Sequence, residues 1–450
     1  MRAIVVGGGI AGILSAILLK RKYEEVDLIE LDGRLGGLLK SFTNERGQSF
    51  DQGSHFLRRT GISGLDEILY GTPGNVLDEK KWLTLHNLKG GGFYRGELNS
   101  DTPFLDARRL PEDVYQKGFE ELLALPQPED RRVVFQNLDE QLRHLFGSVF
   151  TNELFTPILR DKFYGKELSD LTPNSHWLLG LSRIIASDSK KVRRLKKSAA
   201  LDRILAFHSS SEGSSGEGSF YPREGGVGSW IIDLQATISK LGVKVRTGQS
   251  VQKIEHETGK IHSLTLSDST RLNCDELVWT IPAFHCMRAA GLQYETQSGP
   301  PSRLVTSLFH LSFDRNFLTD VQYIQCHDPE FATFRVTLYP NIQSGQSLSE
   351  YHLTAEVNTR EQPDLERLED RVIKELGDMH AIPRDARTLY RKSELLTGGF
   401  PVPTHEFVRT STNQLNFVSE SLKNVRFLGK GRGSAFLMHD VLVEVYKTLS

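Results

Sequence analysis

The chain opens on a short apolar run, Ala3 to Val6, that ends in a cluster of glycines, and Ala11 to Lys22 then carries strong helix formers, Leu, Ala, Ile and Lys. Val26-Asp-Leu-Ile-Glu30 reads as a second strand. Strand, helix and strand in this order form a right-handed unit with buried parallel pairing, so the chain is expected to open a doubly wound sheet. From about Pro111 to Leu205 the apolar residues recur three and four apart, as in Tyr115 to Leu125 and Leu138 to Leu145, which predicts a helical insertion. The insertion runs into His208–Ser219, a Ser, Gly and Glu stretch too poor in apolar surface to order a backbone, and a mobile loop is predicted there.

Beyond the loop, Ser229 to Leu241 predicts a helix, Val243 to Arg246 a strand, and Val251 to Ile254 with Ile261 to Leu266 a hairpin. Asp275 to Pro282 reads as a strand that ends at its proline. Val305 to Phe313, Phe334 to Leu338 and Tyr351 to Val357 are β-rich and predict a second sheet outside the first. Val425 to Leu428 is the last strand, it meets Gly429, and a helix is expected from near Leu437. No internal repeat is visible.

At 450 residues the chain is long enough for two or three units with substantial cores. Its 55 basic and 57 acidic residues give a formal net charge of -2, no field to capture a phosphate backbone, so nucleic acid is not an expected partner. Only three cysteines are present, Cys274, Cys286 and Cys326, without Cys-x-x-Cys spacing. Neither a disulfide framework nor a metal site is expected, and a cytoplasmic location fits. Arg2 and the run Ala3 to Leu19 have the outline of a signal peptide or anchor, but Gly7, Gly8, Gly9 and Gly12 suit a tight turn rather than a spanning helix, and no transmembrane segment is expected.

Gly7-Gly-Gly9-Ile-Ala11-Gly12 fits G-x-G-x-x-G at the end of a strand and the opening of a helix, the context that a dinucleotide-binding turn requires. The first glycine permits the turn, the second lets backbone N–H groups approach a pyrophosphate, and the third lets helix and strand pack closely. Glu30 ends the second strand, where a carboxylate can accept hydrogen bonds from an adenosine ribose and would repel a 2′-phosphate, so NADP is not expected there.

Glu30-x-x-x-Arg34-x-Gly36-Gly37 resembles a stretch of the flavin amine oxidase and protoporphyrinogen oxidase superfamily, which includes phytoene desaturases and, more distantly, UDP-galactopyranose mutases. Phe50-Asp51-Gln-Gly53-Ser-His55 resembles its acid-x-Gly-x-His segment, and Tyr221-Pro-Arg-Glu-Gly225-Gly226 its Tyr-Pro-x-Gly-Gly segment. Val251-Gln-Lys-Ile254 resembles its V-x-x-I step, and Phe427-Leu-Gly429 through Met438-His439-Asp440 its closing strand, glycine and helix. The resemblance implies an α/β fold: a Rossmann-like FAD-binding domain, discontinuous in sequence, with an α+β substrate domain. The first is expected over 1–85, 220–290 and 396–450. The second is expected over 86–219, mainly helical, and 291–395, its sheet part.

By the same resemblance Gly7, Gly9, Ala11, Gly12, Glu30, Arg34, Gly36, Gly37, Gly53, Val251, Gly429, Met438 and His439 would bind FAD. Val251 would pack near the adenine, the closing residues would meet the ribityl chain and flavin C2 carbonyl, and His55 is the one candidate for a catalytic side chain near the flavin. Two departures stand out: Lys430 replaces the acid that often follows the closing glycine, and no cysteine near the C-terminus could form a thioether, so FAD should be non-covalent.

The implied activity is FAD-dependent oxidation or desaturation of a small molecule by hydride transfer to flavin N5, with the substrate between the flavin and the substrate domain. The alternative is a redox-neutral nucleotide-sugar mutase: Phe427 to Lys430 and Phe436 to Asp440 faintly resemble that ending, although Ser434 and Ala435 stand at the centre of the tyrosine-rich pattern expected there. Lys190 to Lys197 reads as a solvated basic face or a cap for a phosphorylated or lipid-linked substrate, leaving peripheral membrane contact open. Gly90 to Gly96 reads as a turn or hairpin. Substrate, electron acceptor and oligomeric state are not encoded in any legible pattern.

Overall fold

The structure is a computed structural model, and it describes every residue except 72–76, 126–132, 213–217, 295–301, 344–348, 397–398 and 433–436. Ser434, Ala435 and Phe436, on which the mutase comparison turned, lie outside the described residues. The chain divides into two compact units, one of 1–83, 220–300 and 408–450, the other of 84–219 and 301–407.

The first unit is built on a five-stranded sheet, in the order Lys244–Arg246, Glu25–Ile29, Arg2–Val6, Glu276–Trp279, Val425–Phe427. Every pairing is parallel, and the register sets Val6 beside both Ile29 and Trp279, and Trp279 beside Phe427. Parallel strands bury both faces, which is why Ala3-Ile-Val-Val6 alternates nothing and is apolar throughout. Helices Ile10–Leu19, Gly228–Lys240 and Met438–Leu449 cover one face, with Ile13, Ile17, Leu234, Leu442 and Val445 in the shared core. The other face packs on a three-stranded antiparallel sheet, Val251–Glu257, Lys260–Leu266 and Arg271–Asn273, through Ile254, Leu264 and Trp279. Because the strand ends are in register, the residues just beyond them, Gly7, Glu30 and Gly429, are gathered at one edge, where doubly wound sheets bind their ligands. The apolar run that imitates a signal peptide is the centre of this sheet and its first helix, and among the described residues no helix is long and apolar enough to cross a membrane.

The second unit carries a seven-stranded sheet in the order Thr388–Leu396, Val305–Phe313, Tyr351–Thr359, Thr333–Leu338, Tyr323–Cys326, Gly90–Tyr94, Glu97–Asn99. The glycine-rich stretch is the hairpin between the last two strands: Arg95 and Gly96 both take positive φ, 51° and 76°, as a type I′ turn requires. Helix Leu365–Asp378 packs Leu368, Val372 and Leu376 onto the sheet, and Asp364 caps its first turn. The helical insertion has its own core of Leu142, Phe146, Phe150, Phe155, Ile158 and Phe163, with wide π-helical turns over Thr151–Phe155 and Pro157–Tyr164.

The stretch predicted as a mobile loop, 208–219, differs in part. Residues 213–217 lie outside the described residues, but Ser210–Glu212 form a short turn, with the Glu212 carboxylate accepting from the Ser189 hydroxyl, and Ser219 is the buried start of strand Ser219–Pro222. Composition understated the order there because the aromatic residues that follow, Phe220 and Tyr221, draw Ser219 into the core.

Candidate functional site

The first strand turns at Gly7, with φ of +104°, and helix Ile10–Leu19 starts immediately at its N-cap Gly9. Gly12 explains the third position of the motif: a Cβ there would lie 1.8 Å from the Gly7 carbonyl oxygen, so helix and turn can approach this closely only without a side chain. Gly9 is the opposite case, since a Cβ there would meet nothing within 4 Å. The helix start has no capping side chain and no acid in its first turn. Backbone N–H groups and the positive end of the helix dipole therefore face an open, uncontested space, the arrangement that binds a phosphate.

Glu30 closes one side of that space. One carboxylate oxygen accepts from the Gly8 N–H at 2.5 Å and the other from the Asp32 N–H at 2.8 Å, which ties the carboxylate to the glycine turn itself. An ionised carboxylate offers about four lone-pair sites, so two remain for a ligand hydroxyl. The chain leading to Val251 clasps the same corner: Glu30 N–H donates to the Arg246 carbonyl, Gln249 N–H to the Glu30 carbonyl, and Gly248 N–H to the Asp32 carbonyl. Val251, half-buried, begins its strand two residues later.

The paired glycines are folded against the first turn. Gly36 N–H donates to the Gly8 carbonyl at 2.8 Å, and at Gly37 a Cβ would come 3.2 Å from the Gly9 Cα. Ala11 and Gly429 also meet, since a Cβ on Gly429 would lie 3.0 Å from that of Ala11. Gly7, Gly9, Ala11, Gly12, Glu30, Gly36, Gly37 and Gly429 are thus one contiguous cluster. Arg34 is exposed, its guanidinium donating to the Ser41 carbonyl. Met438 and His439 form the first turn of the closing helix; Met438 is half-buried against the core and His439 is exposed.

Gly53, with φ of +106°, and His55 lie in the turn after the short strand Ser49–Asp51, and His55 Nε2 is 3.2 Å from the Gln52 carbonyl of the same turn. The residue that organises this region is Asp51, quoted in the sequence motif but given no role there. Its carboxylate, fully buried, accepts from Ser41 Oγ at 2.5 Å, Tyr221 Oη at 2.6 Å and Val227 N–H at 2.9 Å. Gly226, at φ of +68°, passes so close that a Cβ would sit 2.3 Å from Asp51 Oδ1. Burial pushes the Asp51 carboxyl up to about 6, against the three hydrogen bonds that favour its charge. The acid-x-Gly and Tyr-Pro-x-x-Gly-Gly segments, 170 residues apart, are thereby fastened to each other.

A second acid escaped the sequence reading. Lys430 follows the closing glycine, but Glu444, two turns into the last helix, returns a carboxylate to that point: it accepts from Gly429 N–H at 3.1 Å and from Arg432 at 3.1 Å. No sequence signal marks Glu444, because its proximity to Gly429 depends on how the last helix folds back. Among the described residues no group of three or more His, Cys, Asp or Glu side chains could hold a metal ion.

The chain is 22% identical over 285 residues to the 1-hydroxycarotenoid 3,4-desaturase of Flavobacterium sp. (strain P99-3), covering 60% of this chain and 54% of that one. The chain therefore spans about half the length of that curated relative. Its fold is that of reduced UDP-galactopyranose mutase, with TM-score 0.73 and 16% identity over 100% of this chain and 91% of the other. The same holds for a putative protoporphyrinogen oxidase from Exiguobacterium sp. 255-15, at 0.69 and 17% over 100% and 97%. The pattern described as flavin containing amine oxidoreductase matches residues 10–434, and over that span this chain belongs to the flavin containing amine oxidoreductase family, with FAD as its cofactor.

Proposed function

We propose that this chain is an FAD-dependent oxidoreductase that holds its cofactor non-covalently and oxidises or desaturates a small-molecule substrate. The observation that carries the binding half is the uncapped helix start at Gly9, open on its outer side and bordered by Glu30, Gly36, Gly37 and Gly429. A diphosphate would fit there: the N–H groups of Gly7 and Gly8 already serve the Ile29 carbonyl and Glu30, and those of the first helical turn supply the donors, while Arg34 would add positive charge. Glu30 keeps two acceptor sites for ribose hydroxyls and repels a 2′-phosphate, which favours the adenosine of FAD over that of NADP. Met438, His439 and Gly429 would meet the ribityl and flavin end, where the start of the closing helix favours a carbonyl that gains negative charge.

When bound, FAD supplies a two-electron acceptor at its N5 atom. The chain's own part is to hold the ring against the Gly53–His55 turn, which Asp51 and Tyr221 keep in place, and to bring a C–H or N–H bond within reach. His55 is the side chain of that turn able to carry a proton, and it stands as the catalytic candidate. His55→Gln should leave FAD content unchanged and slow reduction of the flavin by substrate about a hundredfold, the typical worth of a positioned acid or base; an unchanged rate would remove His55 from the chemistry.

The decisive experiment follows flavin bleaching under anaerobic conditions, with purified holoprotein screened against amines, polyenes, porphyrinogens and nucleotide sugars. Bleaching by one class, and reoxidation by oxygen or another acceptor, is the expected result. Turnover that appears only after chemical reduction, with no acceptor consumed, would move the reading to redox-neutral isomerisation of a nucleotide sugar.

A further inference from the structure

Between Asp188 and Arg203 the chain sets seven basic residues against two acids, on a protein whose charges otherwise nearly cancel. Helix Ser189–Leu195 turns Val192 into the core and leaves Lys190, Lys191, Arg193 and Arg194 outside. Asp188 serves as its N-cap, accepting from the Lys191 N–H at 3.0 Å, and Arg193 pairs with Glu212 at 3.1 Å. Lys196 reaches across to the next helix, Ala199–Ile204, and pairs with Asp202 at 2.7 Å, so the two helix ends are joined and both local acids are occupied. Lys190 and Arg194, four residues apart, share one side of the first helix, and Lys197 follows in the turn that closes it. These three and Arg203 are exposed, and among the described residues none of them pairs with an acid.

Arg203 also borders an apolar rim. It shares one hollow with Val133, Val134 and Trp177, in which side chains such as Gln141 and Asn174 supply polar atoms. Val134 is 89%, Trp177 54% and Val133 44% exposed, on a protein that buries its other three tryptophans. The backbone holds Trp177 outward. It sits in the 3₁₀ turn Ser175–Leu179, bounded by Asn174 and Gly180 at positive φ of 68° and 76°. With three residues per turn, His176 and Leu179 share the buried side and Trp177 falls on the outer one. Gln141 fixes the entry to this turn, donating to Asn174 Oδ1 at 2.8 Å and accepting from the Asn174 N–H at 2.7 Å. A tryptophan and two valines held rigidly in water beside unpaired cations mark a surface that something apolar and anionic covers.

We propose that the helical insertion docks on an anionic lipid bilayer, with Trp177, Val133 and Val134 entering the boundary between headgroups and acyl chains and Lys190, Arg194, Lys197 and Arg203 lying against lipid phosphates. An indole suits that depth because its ring is apolar and its N–H still finds an acceptor there. Charge complementarity selects the occupant. A second copy of this chain, related by a two-fold axis, would set the same cations against one another, and a nucleic acid would leave the valines in water. The inference holds whichever small molecule the flavin oxidises.

The test floats FAD-loaded holoprotein with vesicles of phosphatidylcholine alone or of phosphatidylcholine and phosphatidylglycerol in equal parts. The protein should rise with the mixed vesicles and not with the neutral ones, and added salt should release it. Each cation close to an anionic surface strengthens binding about fivefold, so exchanging Lys190, Arg194 and Lys197 together for glutamine should weaken it about a hundredfold while flavin content is unchanged. Mixed vesicles with acyl chains brominated near the headgroup should quench the emission of Trp177, and Trp177→Phe should bind and lose that quenching. The unmodified holoprotein decides the matter without any variant. Failure to float with the mixed vesicles overturns the proposal. Flotation without quenching by the brominated chains overturns it too, in favour of a polyanion that meets only the basic residues. A dimer abolished by Val134→Ser, with no flotation, would give this surface to a second copy of the chain and overturn it equally.

Discussion

At Asp51 a single carboxyl couples stability to pH, and the sign is opposite to that of an ion-paired acid. Below about pH 4 the group is protonated whether the chain is folded or not. As the pH rises toward about 6 the unfolded chain loses this proton and the folded chain keeps it, so the folded state loses stability across that window and does not regain it above. A shift from 3.8 to about 6 corresponds to about 3 kcal/mol. Asp51→Asn removes the charge and keeps the acceptor for Ser41 and Val227, and Tyr221 can turn its hydroxyl to accept from the amide. Denaturant unfolding should therefore show the Asn variant gaining on the parent between pH 4 and pH 7, by up to about 3 kcal/mol less the cost of any imperfect hydrogen bond; a difference that stays flat with pH would show that Asp51 is ionised in the fold. Glu30 makes the contrasting case. Its carboxylate serves the Gly8 and Asp32 N–H groups, so Glu30→Ala strips two acceptors from the turn as well as the proposed ribose contact. Titration of the apoprotein with FAD should show affinity down at least tenfold, about 1.4 kcal/mol or more, and a smaller loss for Glu30→Gln, which keeps one of the two acceptors, faces the other N–H with an amide donor and drops the charge.

At the scale of elements, the turn from the first strand into the first helix separates folding from binding. Gly12→Ala would force a methyl into the Gly7 carbonyl, which neither strand nor helix can yield to, so the variant should fold poorly and carry no flavin. Gly9→Ala has open space and an ordinary φ of −72°, so the apoprotein should melt like the parent, yet the methyl occupies the outer side of the turn and FAD affinity should fall. Equal FAD affinity in Gly9→Ala would mean the diphosphate does not pass there. This turn was legible from sequence because everything that defines it is local: an apolar strand, three spaced glycines and an acid at the end of the next strand. The tie between Asp51 and Tyr221, and the return of Glu444 to Gly429, were not, because they join residues that only the parallel sheet and its covering helices bring together. In 208–219 local composition pointed to disorder while the aromatic pair after it pulled Ser219 into a buried strand.

Over the whole molecule the chain passes between its two units four times, near residues 83, 219, 300 and 407, so neither unit is a continuous stretch that composition could mark off. The cysteines give a test that samples both units at once. Cys274 and Cys286 belong to the first and Cys326 to the second; all three are buried without a disulfide, and burial pushes their thiols up, to about 12 for the first two and about 11 for the third. A thiol reacts through its thiolate, and at pH 8 a group shifted this far is ionised to about one part in a thousand or less, quite apart from its lack of access. Native protein offered a chromogenic disulfide at pH 8 should therefore release almost no colour over minutes, and the same protein in guanidinium should release three equivalents. One thiol reacting early would mark its unit as the one that opens first, since local opening exposes a buried group at less than the cost of global unfolding. The same experiment examines the cofactor linkage: with three free thiols counted after unfolding, none is left to hold flavin as a thioether, and acid precipitation should leave intact FAD in the supernatant. Two equivalents instead of three, with yellow colour in the pellet, would mean that a cysteine carries the flavin and that the non-covalent reading is wrong.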